Sequence, residues 1–326
     1  MRALRGFQLA VAAVTGILVT ATTECAQDYP VKPIRFIVPA AAGGTPDINA
    51  RLIATELVKQ MGRPIVVDNR PGASGSIGAE AVARAAPDGY TIGYGTTPVL
   101  AINRSVLAKL PYDPDKDLRK IAQLGSQPNL LAVSPSLAAR SVKELIDYAR
   151  NNPGKLSFGS SGNGTSLHLT GELFKLMTGT QMVHVPYKGA QQAITDMIGG
   201  RVDLIFDNLG SILPHVKAGR VRGLGVTGLK RSPAILDLPT IAEAGVPGFE
   251  VTVWGGVIAP AGVQKSIVTK LNAEINKALA SPTLAEKFAA IGYEVVGGTP
   301  EQFDAFVKKE IVKWAEVVKR SGAKVD

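Results

Sequence analysis

The chain has 326 residues, 45% of them hydrophobic, 19% charged and 6% aromatic, with 35 Gly and 21 Pro. That apolar share, without low-complexity runs, excludes a disordered chain. A mean hydropathy of +0.14 and the lack of a long apolar run past the N-terminus exclude a polytopic membrane protein. The formal net charge is +9, but Lys and Arg are scattered and not interleaved with aromatics, so nucleic-acid binding is not supported.

The first 26 residues read as a secretory signal peptide. Arg2 and Arg5 form a basic start, and residues 7–20 are uncharged and mostly apolar but short for a membrane span. Ala26 is the expected last residue, although Glu24 takes the −3 position, where a small side chain is preferred. Glu24 also fits poorly before a lipid-modified Cys25. Removal of residues 1–26 would leave 300 residues, a net charge of +8 and no Cys, since that segment holds two Arg, one Glu and the single Cys. A thiol-free mature chain suits an oxidising periplasm.

Past that segment, strands and helices alternate. Residues 34–39 are a buried strand, and 46–61 a helix with Ile48, Leu52, Ile53, Leu57 and Met61 along one face. A strand at 65–69, a turn at 70–76, a short helix at 76–86 and a strand at 91–95 follow. This succession of βα units predicts a mainly parallel sheet.

A second series begins with a strand at 130–133. Ser141 and Glu144 form a capping box for a helix reaching about residue 151. Strands are expected at 156–160, 182–185, 204–207 and 221–227, with helices near 166–177, 189–198 and 211–218. Residues 251–258 are extended and apolar, and the tail is helical, with starts near Gln264, Ser281-Pro282 and Thr299-Pro300. The last helix carries Phe303, Phe306, Val307, Ile311, Trp314 and Val318 on one stripe, read as a core face. The length favours two domains. The second series reads as an insertion in the first domain, giving one lobe from residues 27–128 with 255–326 and another from 129–254. Such a chain crosses between lobes twice, as in a hinged binding protein.

Two Gly-rich loops are candidates for chemistry. Pro39-Ala-Ala-Ala-Gly-Gly-Thr-Pro-Asp47 follows a strand and opens a helix. Its glycines allow close backbone approach, the helix start favours an anion, and Asp47 complements the dipole. Ser160-Ser-Gly-Asn-Gly-Thr-Ser-Leu-His168 occupies the equivalent place in the second series and adds the Ser161 and Thr165 hydroxyls. One such loop per lobe makes a cleft suited to a carboxylate.

Other motifs fail on context. Gly223-x-Gly225-x-x-Gly228 matches a dinucleotide fingerprint in letters, but the strand runs through its glycines and no helix follows. There is no Walker A sequence and no nucleophile elbow. His168, His184 and His215 lack metal-ligand spacing, and Ser161 and His168 lie about two helical turns apart. Nothing in the sequence calls for a cofactor or a metal.

Tyr-Pro-Val-Lys-Pro-Ile-Arg (29–35), Gly43-Gly44-x-x-Asp47, Asn69-Arg-Pro-Gly-Ala (69–73), Pro87-Asp-Gly-Tyr-Thr (87–91), Val185-Pro-Tyr-Lys-Gly189 and Leu238-Pro-Thr-Ile-Ala-Glu-Ala-Gly (238–245) flank these loops in order. With them the chain resembles the periplasmic substrate-binding proteins of tripartite tricarboxylate transporters, also called Bug proteins. The resemblance implies an α/β, two-lobed, type II Venus-flytrap fold that captures a small carboxylate, is not an enzyme, and hands its cargo, as a monomer, to separate membrane permease subunits. It carries the ligand contacts to Ala41, Ala42, Gly43 and Asp47 in one lobe and to Ser161, Asn163, Gly164 and Thr165 in the other. Tyr187, Lys188, Asp207 and Asn208 are expected neighbours, with Thr96 and Thr97 lining the first lobe.

Two departures stand out. The family often has Phe where this chain has Ala40, and Pro-Thr-Asp where it has Thr45-Pro46-Asp47. Loss of the ring predicts a wider pocket and a bulkier acid, aromatic ones included. The alternatives are a periplasmic carboxylate sensor serving a membrane receptor and, against the missing acid–base constellation, a secreted serine hydrolase.

Overall fold

The computed structural model describes residues 29–321. The expected signal peptide and Cys25 lie outside the described residues.

The first βα series comprises β1 (Ile34–Val38), α1 (Thr45–Met61), β2 (Ile65–Asn69), α2 (Ser76–Ala83), β3 (Thr91–Thr96) and a short α3 (Asn103–Val106). A long β4 (Leu118–Val133) leads to α4 (Val142–Asn151), β5 (Leu156–Ser160), α5 (Ser166–Thr178), β6 (Met182–Pro186), α6 (Ala190–Ile198), β7 (Leu204–Asn208), α7 (Leu209–Lys217) and β8 (Arg222–Val226). The chain returns through β9 (Thr252–Pro260) to α8 (Lys265–Leu279), α9 (Pro282–Ala290), β10 (Glu294–Val295) and α10 (Pro300–Ser321).

The strands form one continuous path, β2-β1-β3-β9-β4-β7-β5-β6, with β8 and β10 also paired to β4. The expected parallel pairing holds towards the two ends, for β1 with β2 and β3 and for β5 with β6 and β7. The middle differs: β9 is antiparallel to β3 and β4, and β4 is antiparallel to β7, β8 and β10. The reason is connectivity. A chain that crosses from one lobe to the other and returns must run in opposite directions on the two crossings, so β4 and β9 oppose each other.

These two strands build the hinge of the two-lobed α/β fold. Residues 118–128 of β4 pair with β9, and residues 129–133 pair with β7 and β8. At about 3.3 Å per residue, a strand of 16 residues reaches roughly 50 Å. From sequence a strand is expected only at 130–133, whereas β4 runs on through Gly125, Ser126 and Pro128. The register shifts beside Lys120 and Gly125 show how the strand absorbs them as bulges. Gly125 is required for a packing reason as well, since a Cβ there would collide with the Glu294 carbonyl of β10.

Three clusters form the core. Phe36, Ile53, Leu57, Ile275 and Phe288 join β1 and α1 to α8 and α9. Leu130, Ile194, Ile205 and Ile212 join β4 and β7 to α6 and α7. A third runs from Ile37 and Val99 through Phe158 and Phe206 to Phe303 and Trp314 of α10. The α10 stripe is therefore a core face, and it touches α5 as well as β4. Full burial of each such side chain contributes about 1.5–3 kcal/mol. The Thr299–Gln302 capping box forms in both directions, at 2.8 and 3.2 Å.

Candidate functional site

A cavity of about 540 Å³ lies between the two lobes. Five helices begin at its wall: α1 through Thr45 and Pro46, α2 through Gly75, α5 through Ser166 and Leu167, α6 through Gly189 and Ala190, and α7 through Asn208. Each follows a strand, so the fold itself brings these N-termini to one crevice. The first-turn N–H groups of a helix have no partner within it and carry a partial positive charge. Among the lining residues only Lys188 is cationic and only Asp207 anionic. The remainder of the wall is largely apolar or aromatic, including Pro39, Ala40, Tyr94, Val253, Trp254 and Tyr293.

The lobes touch around this cavity. Ser74 Oγ donates to the Asn163 carbonyl at 2.9 Å, and Gln191 Nε2 donates to the Gly43 carbonyl at 2.9 Å. At the hinge, Gly210 N–H donates to Gln127 Oε1 at 3.1 Å. Ser74 and its neighbour Ala73 hold φ of +53° and +46°, the left-handed region that costs about 1–2 kcal/mol per non-glycine residue. That strained turn forms part of the wall.

Ten of the fourteen residues singled out from sequence meet at the cavity: Ala41, Thr96, Thr97, Ser161, Asn163, Thr165, Tyr187, Lys188, Asp207 and Asn208. Ala42, Gly43, Asp47 and Gly164 are not among its lining residues. Asp47 is turned to its own loop, accepting from Gly43 N–H at 2.9 Å and from Arg51 Nε at 2.9 Å. Those hydrogen bonds and the Arg51 charge, set against partial desolvation, leave its carboxyl below the ordinary range. The α1 start thus already carries an internal anion. Gly164 donates its N–H to His168 Nδ1 at 3.2 Å, and Thr165 caps α5 by accepting from His168 N–H at 3.4 Å.

These bonds engage His168 with Gly164 and Thr165. The serine that does meet a histidine is Ser160, whose Oγ lies 2.7 Å from His184 Nε2, and Ser160 is buried off the cavity wall. His184 stacks on His168 at 4.0 Å and on Phe158 at 4.8 Å. Desolvation, with His168 and Lys175 nearby, pushes its pKa down to about 3. A general base near neutrality needs a pKa close to the working pH, which this ring does not have.

Asp207 is fully buried at the end of β7. Its Oδ2 accepts from Ser211 Oγ at 2.6 Å, and its Oδ1 has no hydrogen-bond partner among the described residues. Burial raises its pKa to about 6, against the lowering effect of Ser211 and the Asn208 N–H. Thr45 Oγ1, Asn49 Oδ1 and Asn208 Oδ1 at the same cavity are likewise buried without a hydrogen-bond partner among the described residues.

Ser74, considered from sequence only as a hydrolase nucleophile, also lines the wall, and Asn49, Tyr94, Gln127, Trp254 and Tyr293 were not expected there. Asn49 was findable, since it stands one helical turn after Thr45 on the same face of α1. Tyr94 and Tyr293 had no such signal: they lie 199 residues apart and meet only through the fold, their hydroxyls 3.4 Å apart.

Residues 49–323 match the tripartite tricarboxylate transporter family receptor, TctC. Protein BugT of Bordetella pertussis (strain Tohama I) is 38% identical over 318 residues, covering 96% of this chain and 98% of the relative. A structure of an R. palustris protein with adipate is 43% identical, covering 91% of this chain and 100% of that one, with a TM-score of 0.89. MatC from Rhodopseudomonas palustris, with bound malate, is 32% identical, covering 89% and 100% with a TM-score of 0.84.

Proposed function

Because the chain belongs to the tripartite tricarboxylate transporter receptor family, we propose that it binds a small carboxylate in the cavity between its lobes and delivers it to a separate membrane permease. The observation that carries this reading is the convergence of five helix N-termini on one largely apolar cavity. The α1 terminus already faces Asp47; each of the others contributes about 0.3–1 kcal/mol to holding an anion, and up to ~2 kcal/mol when partly buried. The adipate and malate seen with the two R. palustris relatives are both carboxylates, which supports the same ligand class.

In this reading the wall residues Ala41, Ser161, Asn163 and Thr165 meet the carboxylate. Thr96, Thr97, Tyr187, Lys188, Asp207 and Asn208 surround the rest of the ligand. Ala42, Gly43, Asp47 and Gly164 shape the two loops from behind. Residues 27–128 with 255–326 move as one lobe and residues 129–254 as the other, about β4 and β9. Closure is driven by the contacts that the ligand gains only when both lobes reach it. Ala40 lies on the wall, where the family often has Phe, and its small side chain favours a bulkier or aromatic acid over a short dicarboxylate.

The protein acts in the periplasm as a monomer, after removal of residues 1–26. A thermal-shift and calorimetric screen over mono-, di- and tricarboxylates, aromatic acids included, tests the ligand class. A cognate acid raises the melting midpoint with concentration. A midpoint raised by sugars or cations but by no organic acid would overturn the proposal. Uptake of the cognate acid in a strain lacking the protein separates transport from sensing: transport requires that uptake fall.

A further inference from the structure

The two ends of the cavity differ in charge. Lys188 follows β6 and stands beside the second Gly-rich loop, since a Cβ at Gly162 would lie 3.4 Å from the Tyr187 carbonyl. The opposite wall is built by β4, β7 and β9, which contribute Gln127, Asp207, Asn208, Val253 and Trp254. In the sheet β6 lies three strands from β4, a separation of about 14 Å at about 4.8 Å per strand. The helix starts divide in the same way. The α1 start already faces Asp47. At α7, Asp207 stands just before the first turn, and the Gly210 N–H is taken by Gln127 Oε1 at 3.1 Å. That leaves the starts of α2, α5 and α6 for an anion, all at the Lys188 end: Ser74, just before α2, touches Asn163, α5 follows the same loop, and α6 follows Lys188.

At the hinge wall the free group is an uncharged donor. Gln127 is 2% exposed and sits on β4 opposite Val253 of β9. The bond from Gly210 to its Oε1 fixes the amide and leaves Nε2, which has no hydrogen-bond partner among the described residues and, unlike Asn49 Oδ1, is not sealed from the cavity. The Trp254 indole N–H, by contrast, is engaged by Glu310 Oε2 at 2.6 Å. An acceptor at this end gains the Gln127 bond. A second carboxylate would share the wall with Asp207, ionised at pH 7.5 with a pKa of about 6, and with no cation. Resting on the carboxylate reading above, we propose that Gln127 sets specificity here by donating from Nε2 to an uncharged oxygen, so that the ligand is a monocarboxylate with a carbonyl-type acceptor at its far end rather than a dicarboxylate. Gln127 lies on a strand that crosses between the lobes and holds the first turn of α7, so a ligand bonded to it engages the hinge itself.

Two matched triads test this, each with a ketone, a carboxylate or an alkyl group at the far end: 5-oxohexanoate, glutarate and hexanoate, and 4-acetylbenzoate, terephthalate and 4-ethylbenzoate. In calorimetry on the full mature chain at pH 7.5, the ketone of the triad that fits the cavity should bind at least about tenfold tighter than either partner. Gln127→Glu keeps the acceptor for Gly210 and removes the donor. It should weaken the ketone acid at least about tenfold at pH 8 and regain most of that at pH 6, where the new buried carboxyl takes up a proton and donates again, while the parent changes less than about twofold. Should the variant not fold, the wild-type triads decide alone. A dicarboxylate that binds tightest in its triad, or an alkyl acid that equals the ketone, would overturn the proposal. A ketone lead that survives Gln127→Glu at pH 8 would overturn the assignment to Gln127. Binding of none of the six acids would overturn it too; other acids that bind in the broader screen would then leave the carboxylate reading standing, and failure of that screen would remove both.

Discussion

Gln191 of α6 donates its side-chain amide to the Gly43 carbonyl at 2.9 Å, tying the lobe of β5 to the lobe of β1 beside the cavity. Gly43 holds φ of +77°, and a Cβ there would press on Gln191 Cγ at 3.3 Å. The contact therefore depends on a residue without a side chain on one side and a long amide on the other. A hydrogen bond of this kind contributes about 1 kcal/mol. Gln191→Ala should open the ligand-free molecule, seen as a larger radius of gyration in solution scattering, and weaken ligand binding about fivefold. An unchanged radius and affinity would assign closure to the Ser74–Asn163 contact instead.

Asp207 places an acid where water does not reach. Burial raises its pKa to about 6. Below about pH 4 both folded and unfolded chains are protonated there, and the group has no effect on stability. Between about pH 4 and 6 the unfolded chain gives up the proton and the folded one keeps it, so stability falls as pH rises. Above that window the folded protein carries a buried charge at a cost of up to about 3 kcal/mol. Asp207→Asn should therefore raise the melting midpoint by several degrees at pH 8 and leave it nearly unchanged at pH 4. The same gain at both pH values would contradict the assignment.

The histidine stack works in the opposite direction. Burial lowers the His184 pKa to about 3, and burial lowers that of His168 too, against the opposing charge of Glu172. Below the ordinary histidine value of about 6.5 the unfolded chain takes up protons that the folded chain refuses, so stability drops as pH falls from there towards 3. His184→Phe keeps the stack on Phe158 and removes one titrating group. Its melting midpoint should fall less than that of the parent protein between pH 7 and pH 5. Equal slopes would mean that His184 takes up its proton in the folded protein.

Where local chemistry decides structure, the sequence was a sufficient guide. The α5 start is fixed by Thr165, and the α10 start by the Thr299–Gln302 box, because a cap acts within one turn of its helix. The β4 strand was legible only over its last residues. Its first part is extended because β9 and β10 pair with it, and no window containing Gly125 and Pro128 carries that information. The site divides in the same way. Ser161 and Asp207 lie at strand ends and Thr165 at the start of α5, where a Gly-rich loop or a polar pair signals a crevice. Tyr94, Trp254 and Tyr293 come from strand interiors and the tail, where a buried aromatic in the pattern looks like any core residue. The same distance in sequence hid the hinge contact between Gln127 and Gly210, which are 83 residues apart.

Ala40 offers the most direct test of what size of acid the cavity takes. Its carbonyl accepts from Asn69 Nδ2 at 3.0 Å, which fixes the backbone, while the residue itself lines the cavity. Replacing its methyl group by a phenyl ring therefore fills ligand space without removing that anchor. Ala40→Phe should weaken binding of an aromatic or long-chain acid by at least about tenfold, since overpacking a formed pocket typically costs 1–3 kcal/mol. A short dicarboxylate should lose less, because it leaves room for the ring. Calorimetry with one acid of each size reads the difference directly. Unchanged affinity for the larger acid would show that the ring is accommodated elsewhere and that Ala40 does not set the size of the ligand.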